Sequence, residues 1–341
     1  MELLRQFFFI PAPTLTERNC PDQKDRVRHE GLDSYLSADR AQGFIVTGGY
    51  AGLGLELSQI LYAHNAVVYV AGRSESKAKA AISRIQNACP KSDGRIEFMN
   101  VDLGDLRSVK PAVEAFLAKE QRLHVLINNA GVMYPPQGST DAHGNEMQMG
   151  TNCLGHYLLY RLLEPILVET ASSSPPGSVR VAWAGSVAID VQSPKPNGME
   201  LDNSGQPKDK GVQLNYGQSK IGNLFFARKF ARDTPQTAVV HVCFNPGNLK
   251  TELQRHWRGT QPLIARLLVL HPAIKGAYTE LWAALSPDIT QERSGAYILP
   301  WGKIGGFRTD IEAALKPSSE GGTGVAARFI TWCDGQIAPF T

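Results

Sequence analysis

From residue 43 onward, short β-branched runs alternate with longer amphipathic stretches, and that rhythm constrains this 341-residue chain more than any other feature. Strands are read over 44–46, 67–70, 96–101, 125–127, 179–182 and 238–242, with a seventh over 296–299. Helical stretches fall between them, over about 53–62, 74–88, 105–120, 146–168 and 216–232. Strands separated by helices require crossovers, and crossovers give a parallel sheet with helices on both faces. Pro-, Gly- and Ser-rich loops occur at 172–178, 193–211 and 316–324, but none divides the chain, so a single α/β domain is expected.

The first strand runs directly into Thr47-Gly48-Gly49-Tyr50-Ala51-Gly52-Leu53-Gly54 and then into a helix. Glycines permit a tight turn and let backbone N–H groups approach a pyrophosphate at the positive end of the helix. The spacing TGxxxGxG is one residue wider than the GxGxxG fingerprint, and the strand–loop–helix context gives the glycines their meaning. Gly48, Gly52, Leu53 and Gly54 are therefore candidate cofactor residues. The second strand ends in Val70-Ala71-Gly72-Arg73-Ser74, without an acid at its tip. An acid there would suit the ribose 2′-OH of NAD, whereas Arg73 suits the 2′-phosphate, so NADP(H) is favoured over NAD(H). Asp102 ends the third strand, and Asn128-Asn129-Ala130-Gly131 ends the fourth. Asp102 can accept from an adenine amino group, and Asn129 can contact the neighbouring ribose, with Gly131 beside it. The same residues also suit plain structural roles: Arg73 as an exposed helix start, Asp102 as a helix cap, Asn128 and Asn129 as turn residues.

Farther along, Tyr216-Gly217-Gln218-Ser219-Lys220 puts Tyr216 and Lys220 one helical turn apart. Such a pair recurs by chance in a chain of this size, so its weight comes from position, on the helix after the fifth strand. Ser186 closes that strand, Asn152 sits early in the preceding long helix, and Asn245-Pro246-Gly247-Asn248-Leu249-Lys250-Thr251 follows the sixth strand.

Taken in order, TGGYAGLG (47–54), Asp102, NNAG (128–131), Asn152, Ser186, YGQSK (216–220) and PGNLKT (246–251) resemble the classical short-chain dehydrogenase/reductases over about residues 43–300. The finer texture is similar to fungal members near the retinol-dehydrogenase-like and WW-domain-oxidoreductase-like branch. The resemblance implies a Rossmann-type doubly wound parallel sheet of about seven strands. It implies that Tyr216 exchanges a proton with the substrate oxygen, favoured as phenolate by the cationic Lys220 and oxidised nicotinamide. Ser186 would hydrogen-bond the substrate oxygen, Lys220 would also hold the nicotinamide ribose, and Asn152 would tie Lys220 to a water chain. Leu249 and Thr251 would meet the nicotinamide end of the cofactor. The expected activity is NADP(H)-dependent interconversion of a carbonyl and an alcohol on a hydrophobic small molecule, plausibly within fungal secondary metabolism. The rival expectation is a catalytically silent nucleotide-binding or regulatory protein.

Three departures stand out. Tyr50 fills a loop position that is usually small or polar, which puts that loop's help with a 2′-phosphate in question. Gly185 stands where a first serine is common. A polar, non-periodic segment over 28–43 precedes the first strand and reads as a surface loop or an insertion that weakens the nucleotide site. Residues 1–42 then form an N-terminal arm, 43–300 the catalytic domain, and 301–341 a C-terminal extension. Segments at about 187–212 and 251–275, the latter with Trp257, Leu263-Ile264 and 267–270, would border an apolar pocket.

Composition narrows the partners. A net charge of +3 gives no footprint for nucleic acid. Five cysteines, Cys20, Cys89, Cys153, Cys243 and Cys333, are scattered without a CxxC pair, so neither a metal site nor a disulfide framework is expected. No apolar run reaches the ~18 residues of a membrane span. A cytoplasmic location is expected. Residues 1–10 are apolar, which leaves open an arm packed on the protein or a peripheral contact with an intracellular membrane. A homo-oligomer also stays open.

Overall fold

The computed structural model describes residues 42–253 and 270–341. The arm, the polar segment up to residue 41, and Trp257, Leu263, Ile264 and 267–269 of the expected pocket border lie outside the described residues. The chain forms β1 (Gly43–Thr47), α1 (Gly52–Ala63), β2 (Val67–Gly72), α2 (Glu75–Ala88), β3 (Arg95–Asn100), α3 (Val109–Leu117), β4 (Val125–Asn128), α4 (Gly155–Ser172) and β5 (Arg180–Ala184). It continues with α5 (Val212–Asp233), β6 (Val240–Phe244), α6 (Ala273–Leu285), β7 (Tyr297–Leu299), β8 (Lys303–Gly305), α7 (Thr309–Leu315) and α8 (Val325–Ile337).

The strands lie in the order β8-β7-β6-β5-β4-β1-β2-β3. Seven are parallel, as expected, and β8 adds an antiparallel edge strand paired with β7. The order reverses between β1 and β4, and the crevice beyond the carboxyl ends of such strands is where ligands bind in doubly wound sheets.

Strand alternation sorts side chains into two cores, one on each face. Ile45, Leu126, Val181, Trp183 and Cys243 join α3, α4, α5 and α8 on one side. Phe44, Val46, Val125, Ile127, Ala182, Ala184 and Val242 join α1, α2 and α6 on the other. Residues beyond 300 are part of this packing, since Val325, Phe329, Trp332 and Cys333 of α8 are buried in the first core.

Two differences from the sequence reading bear on the site. The stretch expected as one helix over 146–168 is a short turn (Met147–Met149), then a π-helical turn (Gly150–Leu154), then α4. Asn152 sits inside the π-helical turn, a local widening that recurs at functional sites. Helix α6 has no counterpart among the expected elements. It is nearly apolar, with Gly276, Ala277, Leu281, Ala283, Ala284 and Leu285 all buried, so it shows no polar face to betray a helical period. Among the described residues, no helix is long and apolar enough to cross a membrane, and no cluster of His, Cys, Asp or Glu is arranged to hold a metal.

Candidate active site at the carboxyl edge of the sheet

Thr47, the last residue of β1, organises the nucleotide end. Its hydroxyl oxygen accepts from the backbone N–H groups of Asn129 and Ala130, each at 2.9 Å. It also meets His156 Nε2 at 2.9 Å, while His156 Nδ1 lies 3.1 Å from the Asn152 carbonyl. A carbonyl can only accept, so Nδ1 carries the proton and Nε2 accepts from Thr47. Burial pushes His156 down to about 4, which keeps the ring neutral for this role. Asn129 Nδ2 donates to the Thr47 carbonyl at 2.8 Å, so its amide fastens the β4 turn to the loop from below.

The glycine loop is shaped for a close ligand. Gly48 and Gly52 have φ of +67° and +51°, the left-handed region that side chains resist. A Cβ on Gly54 would stand 2.7 Å from both the Gly48 carbonyl oxygen and Asn129 Nδ2. Helix α1 begins without a side-chain cap and without an acid in its first turn, leaving its N–H groups to an anion. Gly52 faces Thr251, whose Cβ would lie 3.5 Å from an added methyl. Leu249 is buried against α6 beside Leu53. These features fit a dinucleotide, with Gly48, Gly52, Leu53 and Gly54 as the cradle.

At the β2 tip, the Arg73 guanidinium is 69% exposed and only 3.7 Å from Asp102 Oδ2. So loose and solvated a pair holds little energy, and the guanidinium is available to a phosphate. Asp102 Oδ1 accepts from the Gly104 N–H at 3.0 Å, a bond within the turn after β3. Tyr50 reaches from the loop to the same place. Its hydroxyl accepts from the Ser74 N–H at 3.3 Å, and its ring lies across Gly72.

The reaction end is built on α5, which starts at Val212 and so carries Tyr216 and Lys220 in its second and third turns. Asn152 pins this helix. Its Oδ1 accepts from the Val132 N–H at 2.8 Å, and its Nδ2 donates to the Val132 carbonyl at 3.0 Å and to Ser219 Oγ at 2.9 Å. The amide of Asn152 is thus spent on the β4 turn and on α5. Gly131, between them, would bring a Cβ within 3.2 Å of Asn152 Oδ1 and 3.7 Å of Lys220 Nζ. Lys220 is buried, donates to the Ala184 carbonyl at 3.0 Å, and places Nζ 5.7 Å from the Tyr216 ring centre. Burial lowers Lys220 to about 8. Burial instead pushes the Tyr216 phenol upward, with the Ser186 hydroxyl as the hydrogen-bonding partner that opposes the shift. In this arrangement desolvation favours the neutral Tyr216 phenol. Gly185, just before Ser186, leaves no room for a serine, since a Cβ there would stand 2.8 Å from Cys243 Sγ.

The structure also adds residues that the motifs did not mark. Met133 and Ala188 are buried around Tyr216, with Tyr134 and Leu253 half-buried against them, giving the phenol an apolar wall. The Tyr134 ring meets Tyr216 edge-on at 5.6 Å, and its hydroxyl donates to Gln192 Oε1 at 2.8 Å. Its φ of +53° is unusual for tyrosine and is secured by the bond from its N–H to Gln148 Oε1. Thr47 was legible only as part of TGGYAGLG, and His156 was marked by no motif.

With this geometry in place, the comparisons are decisive. A short-chain dehydrogenase/reductase of Phomopsis amygdali is 44% identical over 336 residues, spanning 97% of this chain and 95% of the relative. The chain belongs to the short-chain dehydrogenase/reductase family. A profile described as short chain dehydrogenase matches residues 42–179. A second short-chain dehydrogenase/reductase, from Neocamarosporium betae, is 38% identical over 97% of this chain and 92% of its own length. Among solved structures, the Pseudomonas aeruginosa RhlG/NADP complex shares the fold with a TM-score of 0.59 at 22% identity, covering 76% of this chain and 94% of that one. This family member is accordingly an oxidoreductase built on a Rossmann fold.

Proposed function

We propose that this oxidoreductase uses NADP(H) to interconvert a carbonyl and an alcohol on a hydrophobic small molecule, within fungal secondary metabolism. The observation that carries the reading is the buried Tyr216, with Lys220 one turn away, Ser186 at its hydroxyl and an apolar wall around it. Bound dinucleotide would supply or accept the hydride. Ser186 would orient the substrate oxygen toward Tyr216, and the neutral Tyr216 phenol would give its proton to that oxygen during reduction. Lys220 would then stabilise the phenolate left behind, and in the reverse direction the phenolate would take the alcohol proton. Met133, Tyr134, Ala188 and Leu253 would exclude water and favour an apolar substrate. At the other end, Arg73 and the hydroxyls of Tyr50 and Ser74 would take the 2′-phosphate, and Asp102 the adenine. Thr251 and Leu249 would flank the nicotinamide. Solved relatives of the fold include an actinorhodin polyketide ketoreductase with NADPH, which accords with this cofactor.

Fluorescence titration with NADPH and NADH tests the reading, followed by turnover on a panel of hydrophobic ketones and aldehydes. NADPH should bind more tightly than NADH, and Arg73→Ala should weaken NADPH about tenfold while sparing NADH, as expected for a charged hydrogen bond. Equal affinities in the wild type, unchanged by Arg73→Ala, would overturn the NADP(H) assignment. Failure to bind either dinucleotide would overturn the whole reading.

A further inference from the structure

Glu280, in the middle of α6, is fully buried, and neither of its carboxyl oxygens has a hydrogen-bond partner among the described residues. An unpaired carboxylate in such a place is costly, and native chains keep one only for a reason. Its position supplies that reason. Gly276, one turn earlier on the same face of α6, approaches the cofactor floor so closely that a Cβ would stand 2.1 Å from Leu249 and 3.0 Å from Leu53. Glu280 therefore lies one turn along α6 from the contact with Leu249, read as flanking the nicotinamide, and with Leu53 of the glycine-loop cradle. Helix α6 also packs on β5, whose Ala184 carbonyl receives Lys220 Nζ, and the Glu280 carboxyl and the Lys220 ammonium act on each other electrostatically.

Other titratable groups around α6 are placed differently. Arg180 of β5 caps the far end of the helix, donating to the Ser286 carbonyl at 2.9 Å. Cys243 and Tyr297, on β6 and β7, lie in the opposite core, and His241 is engaged there with Trp183. On α1, Glu56 is partly exposed. Lys220 is the charge that bears on Glu280. Burial alone pushes the carboxyl up to about 8, against the pull of Lys220. Burial thus favours the neutral acid, which Lys220 opposes electrostatically.

We propose that Glu280 is a positioning residue for the reaction: it is protonated in the resting protein and releases its proton when an oxidised nicotinamide adds a second cation beside Lys220. The step is a simple dissociation, in which the carboxyl O–H breaks, its electrons stay on Glu280, and the proton passes to solvent. The resulting carboxylate offsets the added positive charge and leaves the net charge of the group unchanged, while a neutral reduced nicotinamide leaves the proton in place. This rests on the cofactor reading given above, and its consequence is that the two redox states of the cofactor differ by one bound proton at Glu280.

Infrared difference spectroscopy on the whole protein reads the proton directly. At pH 7 the wild type should show the C=O stretch of a protonated carboxyl that Glu280→Gln lacks, fading as pH rises through about 8. Adding NADP+ should bleach that band, adding NADPH should leave it, and Glu280→Asp should retain a band that NADP+ bleaches. Calorimetry of NADP+ binding in two buffers of different ionisation enthalpy should show proton release by the wild type that Glu280→Gln reduces. The proposal is overturned by a band that NADP+ leaves intact, or by bleaching that persists unchanged in Glu280→Gln. Should Glu280→Gln fail to fold, the NADP+ and NADPH spectra of the wild type still decide. If neither dinucleotide binds, the cofactor reading falls and takes this inference with it; if both bind and the band is unmoved, this inference alone falls.

Discussion

Two sets of buried polar groups around the site are handled in opposite ways. In one, Thr47, Asn129, His156 and Asn152 form a closed set in which the turns after β1 and β4, the π-helical turn and α5 are all tied together. In the other, Ser58 Oγ, both amide atoms of Asn128, the Oδ1 of Asn223 and both oxygens of Glu280 are buried without partners among the described residues. Closed networks hold a geometry, whereas unpartnered groups keep bonding capacity and electrostatic leverage that folding has not used. The contrast teaches that this chain spends one set of buried polar groups on rigidity and leaves another with bonding capacity unused.

That contrast can be broken by experiment. The largest effect belongs to the reaction end: Tyr216→Phe should cut the rate of ketone reduction by about 10³-fold, the scale of a lost general acid, with NADPH affinity retained. Turnover near the wild-type rate would remove Tyr216 from the chemistry. Next, Asn152→Ala should cost roughly 2–4 kcal/mol in denaturant unfolding, since it strands the Val132 N–H and carbonyl and Ser219. Asn128→Leu, which breaks no bond to a protein partner, should change stability by less than about 1 kcal/mol. Equal losses for the two variants would erase the distinction between the two sets. The smallest effect is in acid. Burial lowers His156 to about 4 and His241 to about 3, from an ordinary 6.5. The unfolded chain then binds protons that the folded one refuses, so their contribution is complete above pH 6.5 and drains away as pH falls toward 4. Each histidine should withdraw about 1.4 kcal/mol per pH unit across that window, visible as a falling melting temperature between pH 6.5 and 4.5. A flat profile would show that these histidines titrate freely.

The parallel strands were legible because each is an apolar run bounded by turn residues, and the loops at their carboxyl ends carried most of the chemistry. Strand β8 was not, since Lys303–Gly305 is too short and mixed to carry a pattern. The π-helical turn was hidden because its residues suit an ordinary helix, and only the pull of Val132 and Ser219 on Asn152 explains the widened register. Tyr50 was read as an obstacle at the loop, yet its length lets it span to Ser74, something that spacing along the chain does not disclose. Glu280 escaped notice for a general reason: one acid in an apolar helix looks like a solvated side chain until packing shows it buried without a hydrogen-bond partner among the described residues.

Gly276 has a mechanical consequence. A glycine inside a helix gives up roughly 0.5–1 kcal/mol relative to alanine, and here it leaves α6 touching Leu249 and Leu53 with no side chain of its own between them. Close-packed contacts of this kind transmit displacement rather than absorb it. Pressure on Leu53 and Leu249 from above is therefore passed to the α6 backbone and along one rigid turn to Glu280. The floor of the cofactor site and the buried acid beneath it move as one body.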